Sequence, residues 1–257
     1  MTTATDPAPR RAILTGSGSP RGIGAATAAL LVRRGWQVAL TDLHEAGLRA
    51  NAERLVAEGA LTVPISVGDI RSEADVNRCI STLTSELGGV EALVNIAGIS
   101  RPTRVLDTTL AEWEEVFAVN STGTFLTTKA TLPTMIEAGY GRIVNVSSVS
   151  GIRGGGVFGG THYSASKAAV LGFTRAVARE WAHRGITCNA VAPGLVDTDL
   201  ATPHMTNQQR IDQIATIPAG RLGEARDVAG VIAFLCSEDS GYVTGEVIDI
   251  NGGSHID

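Results

Sequence analysis

Thr15-Gly16-Ser17-Gly18-Ser19-Pro20-Arg21-Gly22-Ile23-Gly24 is the stretch on which the fold turns. The apolar run before it, 12–15, predicts a short buried strand, and apolar residues at helical spacing predict a helix over 22–34. Glycines let the backbone turn sharply and approach a pyrophosphate, whose charge then faces the amides at the start of the helix. A glycine-rich turn alone is most often only a turn. Flanked by a strand and a helix, Gly16, Gly18, Gly22, Ile23 and Gly24 become candidates for holding a dinucleotide.

The same alternation runs outward through the chain. Strands are predicted over 36–41, 61–67, 92–95, 142–147, 187–191 and 246–250, and helices over 45–58, 72–87, 110–138, 164–183 and 225–237. Strand–helix alternation with right-handed crossovers implies a doubly wound, Rossmann-type α/β fold: a mostly parallel seven-stranded sheet flanked by helices. No internal repeat or linker divides the chain, so 11–257 reads as one catalytic domain behind a disordered arm, 1–10.

Composition narrows the function. A net charge of −5 argues against nucleic acid or an anionic membrane as partner, and no apolar run is long enough to span a bilayer. The odd cysteine count (Cys79, Cys188, Cys236) reads as buried free thiols, which with the polar start places a soluble protein in the cytoplasm. His44, His162, His183, His204 and His255 lack ligand spacing, so no catalytic metal is expected.

In doubly wound sheets ligands sit beyond the carboxyl ends of the strands. Asp42, at the end of the second strand, is placed to accept the ribose hydroxyls of adenosine and to repel a 2′-phosphate, favouring NAD over NADP; a helix cap is its plainer role. Arg21 points the other way, since an arginine there can pair with a 2′-phosphate or simply face solvent. Asp69, followed by Ile70, closes the third strand and is either an adenine contact or a turn residue. Asn95, Ala97 and Gly98 end the fourth strand with small residues that let backbone approach a cofactor. Asn120, inside a helical stretch, needs either a packing bond or a role in the site.

Tyr163-Ser164-Ala165-Ser166-Lys167 places a phenol and an amine on one helix face. The phenol of tyrosine titrates at about 10, and a nearby ammonium lowers that value towards acid–base use. Two ordinary polar residues on an amphipathic helix are the plain alternative. Lys167 is one of only two lysines, the other being Lys129. A serine at the end of the fifth strand, in Asn145-Val146-Ser147-Ser148-Val149-Ser150, is placed to donate to a substrate carbonyl.

With these residues in hand, the chain resembles the short-chain dehydrogenase/reductase family over roughly 11–253. The pieces are the Thr-Gly…Gly-Ile-Gly turn, Asp69, Asn95-x-Ala97-Gly98, Asn120, Ser148, Tyr163-x-x-x-Lys167, Asn189…Pro193-Gly194 with Thr198, and Thr244-Gly245…Gly252-Gly253. The resemblance implies Tyr163 as acid/base and Lys167 as its pKa-lowering partner and ribose ligand. It implies Ser148 as carbonyl polariser and Asn120 as holder of a water in a proton relay. Pro193, Gly194, the Val196 backbone and Thr198 would contact the nicotinamide. It also implies a mobile lid over 195–218 and a homotetramer. Two features depart from the family pattern: the glycine turn is two residues longer, and Ser148 stands 15 residues before Tyr163 where Ser150 has the usual 13. Ser148 is the choice and Ser150 the runner-up.

The expected activity is interconversion of a secondary alcohol and a ketone. An NADPH-dependent 3-oxoacyl thioester reductase is the alternative, and a non-catalytic nucleotide sensor or scaffold the reading from another class. Arg101, Arg104, Arg153 and His162 are placed to border the pocket and would suit an acidic substrate; solvated loop arginines are the plainer state. The helix end 131–140 carries Glu137 and no basic residue, which favours a small free alcohol or ketone over a carrier-bound chain.

Overall fold

The computed structural model describes residues 10–156, 159–200 and 205–256. The expected arm lies outside these residues apart from Arg10, whose carbonyl accepts from the Gln37 amide at 2.8 Å.

The strands are β1 (Arg11–Thr15), β2 (Gln37–Asp42), β3 (Ile65–Val67), β4 (Ala92–Asn95), β5 (Gly141–Val146) and β6 (Ile186–Pro193). Two two-residue strands, β7 (Val196–Asp197) and β8 (Gly223–Glu224), pair with each other, and β9 (Val247–Ile250) closes the main sheet. That sheet has seven strands in the order β3-β2-β1-β4-β5-β6-β9, every pair parallel. The order reverses between β1 and β4, and this reversal opens the crevice in which α/β sheets bind ligands.

Each strand is apolar on both sides because helices cover both sides. Ala12 and Leu14 of β1 face the layer of α1 (Ile23–Arg33), α2 (Glu45–Ala57) and α9 (Ala225–Leu235). Ile13, one residue out of phase, faces α3 (Glu73–Leu87), α5 (Gly123–Ala138) and α7 (Thr161–Trp181).

Three expectations need correction. The strand expected over 61–67 is only Ile65–Val67: Pro64 has no amide to give a ladder, its carbonyl alone taking the Leu40 N–H at 2.9 Å, and Leu61 is 88% exposed. The single helix expected over 110–138 is α4 (Leu110–Phe117), a π-type turn over Ala118–Thr122, and α5. The stretches expected as loop and lid contain a one-turn helix, α6 (Ser150–Arg153), and α8 (Asn207–Ala215). Helix α8 starts in a capping box: Thr206 accepts from the Gln209 amide, and the Gln209 side chain accepts from the Thr206 amide.

Candidate active site

One cavity of about 830 Å³ lies along the carboxyl ends of β1, β2, β4 and β5. Its walls are built from the glycine turn, the ends of those strands, the start of α7 and the segment after β6.

At the turn, Gly16 has φ +65°, and a Cβ there would stand 2.6 Å from the Ala97 backbone. The turn therefore lies directly on the end of β4. Thr15 fastens the contact, its hydroxyl accepting from the Ile96 and Ala97 amides at 3.0 and 3.2 Å. A Cβ on Gly18 would stand 2.9 Å from the Asp42 carboxyl carbon. The Asp42 carboxylate accepts from the Gly18 amide at 2.8 Å and the His44 amide at 3.0 Å. It does not cap α2, whose N-cap is His44. It lines the cavity, and a carboxylate has lone pairs beyond those two amides. Gly22 begins α1 with no side-chain acceptor, so the first-turn amides of that helix remain available to an anion. Glycines at the closest approaches, open amides and a lining carboxylate on β2 together fit a dinucleotide.

The remaining expected cofactor residues divide. Ile23, Asp69, Ile70, Ala97, Gly98, Pro193, Gly194, Val196 and Thr198 line the cavity. Asp69 also behaves as a turn residue: it accepts from the Arg71 amide at 2.9 Å and pairs with the Arg71 guanidinium at 2.6 Å, which holds its carboxyl below the usual range. Gly24, Arg21 and Asn95 are not on the wall. Gly24 packs the turn against α1, a Cβ there falling 2.8 Å from the Gly16 carbonyl oxygen. Arg21 reaches across to Asp197 at 2.7 Å and Asp199 at 3.7 Å, while Ser19 donates to Asp199 at 2.6 Å.

Asn95 turns into the core. It donates to Asn145 at 2.9 Å and to Thr128 at 3.2 Å and accepts from Thr127 at 2.7 Å; Asn145 in turn donates to Thr174 at 2.9 Å. This buried ladder ties β4 and β5 to α5 and α7.

Asn120 lies in the π-type turn, fully buried. Its amide grips Ile99 on both sides, accepting from the Ile99 N–H at 2.8 Å and donating to the Ile99 carbonyl at 3.0 Å, and donates to Ser166 at 3.0 Å. The packing bond left open by the sequence is present, and the side chain is not on the cavity wall.

Tyr163 and Lys167 stand one turn apart on α7, the Lys167 nitrogen 5.9 Å from the centre of the phenol ring. Lys167 is buried and donates to the Val146 carbonyl at 2.8 Å, at the end of β5. Burial lowers its pKa from 10.5 to about 8. For Tyr163 the expected direction is reversed: burial pushes the phenol up, and only a hydrogen bond from Ser148 opposes it. Desolvation outweighs an ammonium that is itself weakened and turned towards a carbonyl. Ser148 accepts from the Ser150 amide at 3.1 Å, which leaves its own proton for the phenol oxygen. Ser150 also lines the cavity, but its contribution to Ser148 is the backbone amide.

Of the four basic residues expected at the pocket border, Arg153 alone lines the cavity. Arg101 pairs with Glu115 at 3.6 Å, and His162 is buried with its Nε2 3.1 Å from Glu112. Arg104 is off the wall, and His204 lies outside the described residues. Leu195, Leu200 and Gln213, from the expected lid, are on the wall. Among the described residues no group of His, Cys, Asp and Glu could hold a metal ion, and no helix is long and apolar enough to cross a membrane.

Two contributors escaped the sequence reading. Asn51 of α2 donates to the Ser17 carbonyl at 2.7 Å and fixes the turn from below. Its signal was a polar residue in line with Leu48 and Leu55, the other buried residues of that helix. Gly47, one turn earlier, lets α2 close on the Gly18 carbonyl; a glycine in a helix interior was the clue.

A family model described as enoyl-(acyl carrier protein) reductase matches residues 16–255. The chain belongs to the short-chain dehydrogenase/reductase family and is an NAD(P)-dependent oxidoreductase acting on CH–OH and C=O groups. It is similar to an uncharacterized short-chain type dehydrogenase/reductase, y4mP of Sinorhizobium fredii, with 41% identity over 96% of this chain and 98% of that one. It is also similar to the 3-oxoacyl-(acyl-carrier-protein) reductase FabG of Vibrio harveyi, with 40% identity over 93% and 96%. Among solved structures, levodione reductase superposes with a TM-score of 0.89 at 35% identity over 95% of this chain and 96% of that one. The structure of gox2181 gives 0.91 at 33% identity over 96% and 95%.

Proposed function

We propose that the protein is an NAD-dependent enzyme interconverting a small secondary alcohol and a ketone, with Tyr163 as the acid and base. The observation that carries this reading is that Ser148, Tyr163 and Lys167 line one cavity, with Ser148 beside the phenol and Lys167 one helical turn on. When bound, the nicotinamide supplies or accepts the hydride, two electrons with one proton.

The chain's own residues handle the rest. The Ser148 hydroxyl, oriented by the Ser150 amide, turns its one proton from the phenol to the carbonyl oxygen of a bound substrate and donates there as charge grows. Tyr163 gives its proton to that oxygen in reduction and takes it back in oxidation. A phenol raised by burial is protonated at neutral pH, which readies it for reduction. Oxidation needs the phenolate and so rises with pH. Lys167, at about 8, replaces the proton that Tyr163 gives up. Asn120 acts by holding the Ile99 backbone at the wall; water in a relay beside it is carried over from the family alone.

Asp42 supports NAD: a carboxylate on the wall at the end of β2 accepts ribose hydroxyls and repels a 2′-phosphate. Arg21, the cation that favoured NADP, faces Asp197 and Asp199. A second reading, an NADPH-dependent 3-oxoacyl thioester reductase, rests on the FabG relative. Turnover with NADH and NADPH on a diketone and on an acetoacetyl thioester separates the two.

The assembly is a homotetramer in this reading. Leu110, Trp113 and Phe125 on α4 and α5, and Phe234 and Tyr242 at and beyond α9, leave two apolar faces exposed. Buried free cysteines suit the cytoplasm. Tyr163→Phe is the decisive test. It should lower kcat by about 10³-fold or more while cofactor affinity, followed by fluorescence titration, stays unchanged; near-normal turnover would refute the mechanism.

A further inference from the structure

The charges on the cavity wall are unequally matched. Asp42 accepts two amides, Asp69 pairs with Arg71, Asp199 takes Ser19 and Arg21, and Glu115 takes Arg101. Each carboxylate on the wall therefore has a partner, and Arg71 has one as well. Arg153 does not: among the described residues no carboxylate stands within ion-pair distance of it, and its guanidinium donates from Nη1 to the Ser254 carbonyl at 2.8 Å. That bond fixes the direction of the side chain and leaves the Nε and Nη2 edge of the guanidinium, the edge that receives a carboxylate with two parallel hydrogen bonds.

Position adds to charge. Arg153 ends α6, the single turn that begins at Ser150, and a helical turn advances about 5.4 Å. Arg153 therefore stands one helical turn after Ser150, on the cavity wall that also carries Ser148 and Tyr163. The glycines around it leave room: Gly156 packs on the Ser150 hydroxyl and Gly159 on the Tyr163 ring, and neither adds a side chain to the space between. Ile99, Val149, Leu195 and Leu200 add apolar surface to the same cavity, which suits the carbon skeleton of a small ketone.

We infer that the substrate of this site is a ketone or secondary alcohol bearing a carboxylate a few bonds from the reacting carbon, and that Arg153 is the residue that selects it. The inference rests on the oxidoreductase reading for its reacting carbon and on Arg153 for its anion. Arg153 takes no part in proton or hydride movement, so its loss falls on KM and not on kcat.

The test measures binding first. Full-length protein loaded with NAD⁺, which cannot reduce a ketone, is titrated calorimetrically with cyclohexanone and with 3-oxocyclohexanecarboxylate. Wild type should hold the carboxylate about ten-fold tighter or more, a modest figure because Arg153 is exposed. Arg153→Gln should erase the difference without changing affinity for cyclohexanone, and Arg153→Lys should restore part of it. Equal affinity for the two ketones in wild type, or a preference that survives in Arg153→Gln, overturns the assignment. NADH oxidation with the same pair separates this inference from the one beneath it. Turnover of both ketones without a carboxylate preference sinks the Arg153 assignment and leaves the oxidoreductase reading standing. A carboxylate preference in binding without turnover of either ketone does the reverse.

Discussion

The two ends of the cavity are built on opposite principles. At the glycine turn every charge is answered inside the protein: Asp42 by the Gly18 and His44 amides, Asp69 by Arg71, Asp199 by Ser19 and Arg21. Backbone lies on backbone there, with Gly16 against Ala97 and Gly47 against Gly18. At the start of α7 three successive glycines (Gly154, Gly155, Gly156) have positive φ, and Arg153 lines the cavity with no carboxylate among the described residues within ion-pair distance. The first end is finished before its ligand arrives and suits a ligand that never changes. The second is open in shape and unbalanced in charge, and selectivity belongs there.

Single substitutions can break or sharpen this contrast. The largest effect is expected at the open end. Ser148→Ala should lower kcat by about 10²–10³-fold, since the proton aimed at the developing oxyanion is lost. Ser150→Ala should stay within a few-fold, because the Ser150 amide that orients Ser148 survives. Steady-state turnover of the pair checks this, and equal losses would mean that the two hydroxyls share the role.

Lys167 sits at the seam between the ends, and there stability and function should separate. Its folded pKa of about 8 lies below the ordinary 10.5, so the unfolded chain binds more protons between those values and stability rises with pH across that window. Below about pH 8 the buried charge is a standing cost. Lys167→Met should therefore be more stable than wild type by about 2 kcal/mol at pH 7 and lose that advantage as pH rises towards 10. Urea denaturation at several pH values reads this directly; a constant difference would mean that the amine is already neutral.

The smallest effect is expected at the finished end. Asp42→Ala should shift the NADPH-to-NADH ratio of kcat/KM upward by about ten-fold, as repulsion of a 2′-phosphate disappears. An unchanged ratio would move cofactor choice to Arg71, which also lines that end.

The contrast also explains what the sequence discloses. The glycine turn was readable because its residues are dictated by van der Waals contact with backbone, which leaves no freedom of type. The Tyr163 and Lys167 pair was readable because helix geometry converts a spacing of four into adjacency. The short β3 could have been foreseen from Pro64, which cannot serve both sides of a ladder. The π-type turn could not, because the contact it carries, Asn120 gripping Ile99, joins segments 21 residues apart. Asn95 shows the limit most clearly. At the end of β4 it looked like a cofactor contact, and only the register that sets it opposite Asn145 turns it inward. The direction of the Tyr163 shift was misread for a related reason: the count of neighbouring charges is visible in a sequence, and the depth of burial is not.

The amide ladder through Asn95 and Asn145 carries a consequence for how this chain can vary. Each asparagine is both donor and acceptor in a buried interior, so exchanging either one for leucine strands part of the other's amide. An entirely greasy version of the same seam would be tolerable, yet every single step towards it passes through a half-filled state worse than either end. Drift at these positions is therefore concerted or absent, and the two middle strands keep their alignment across any lineage that retains the ladder.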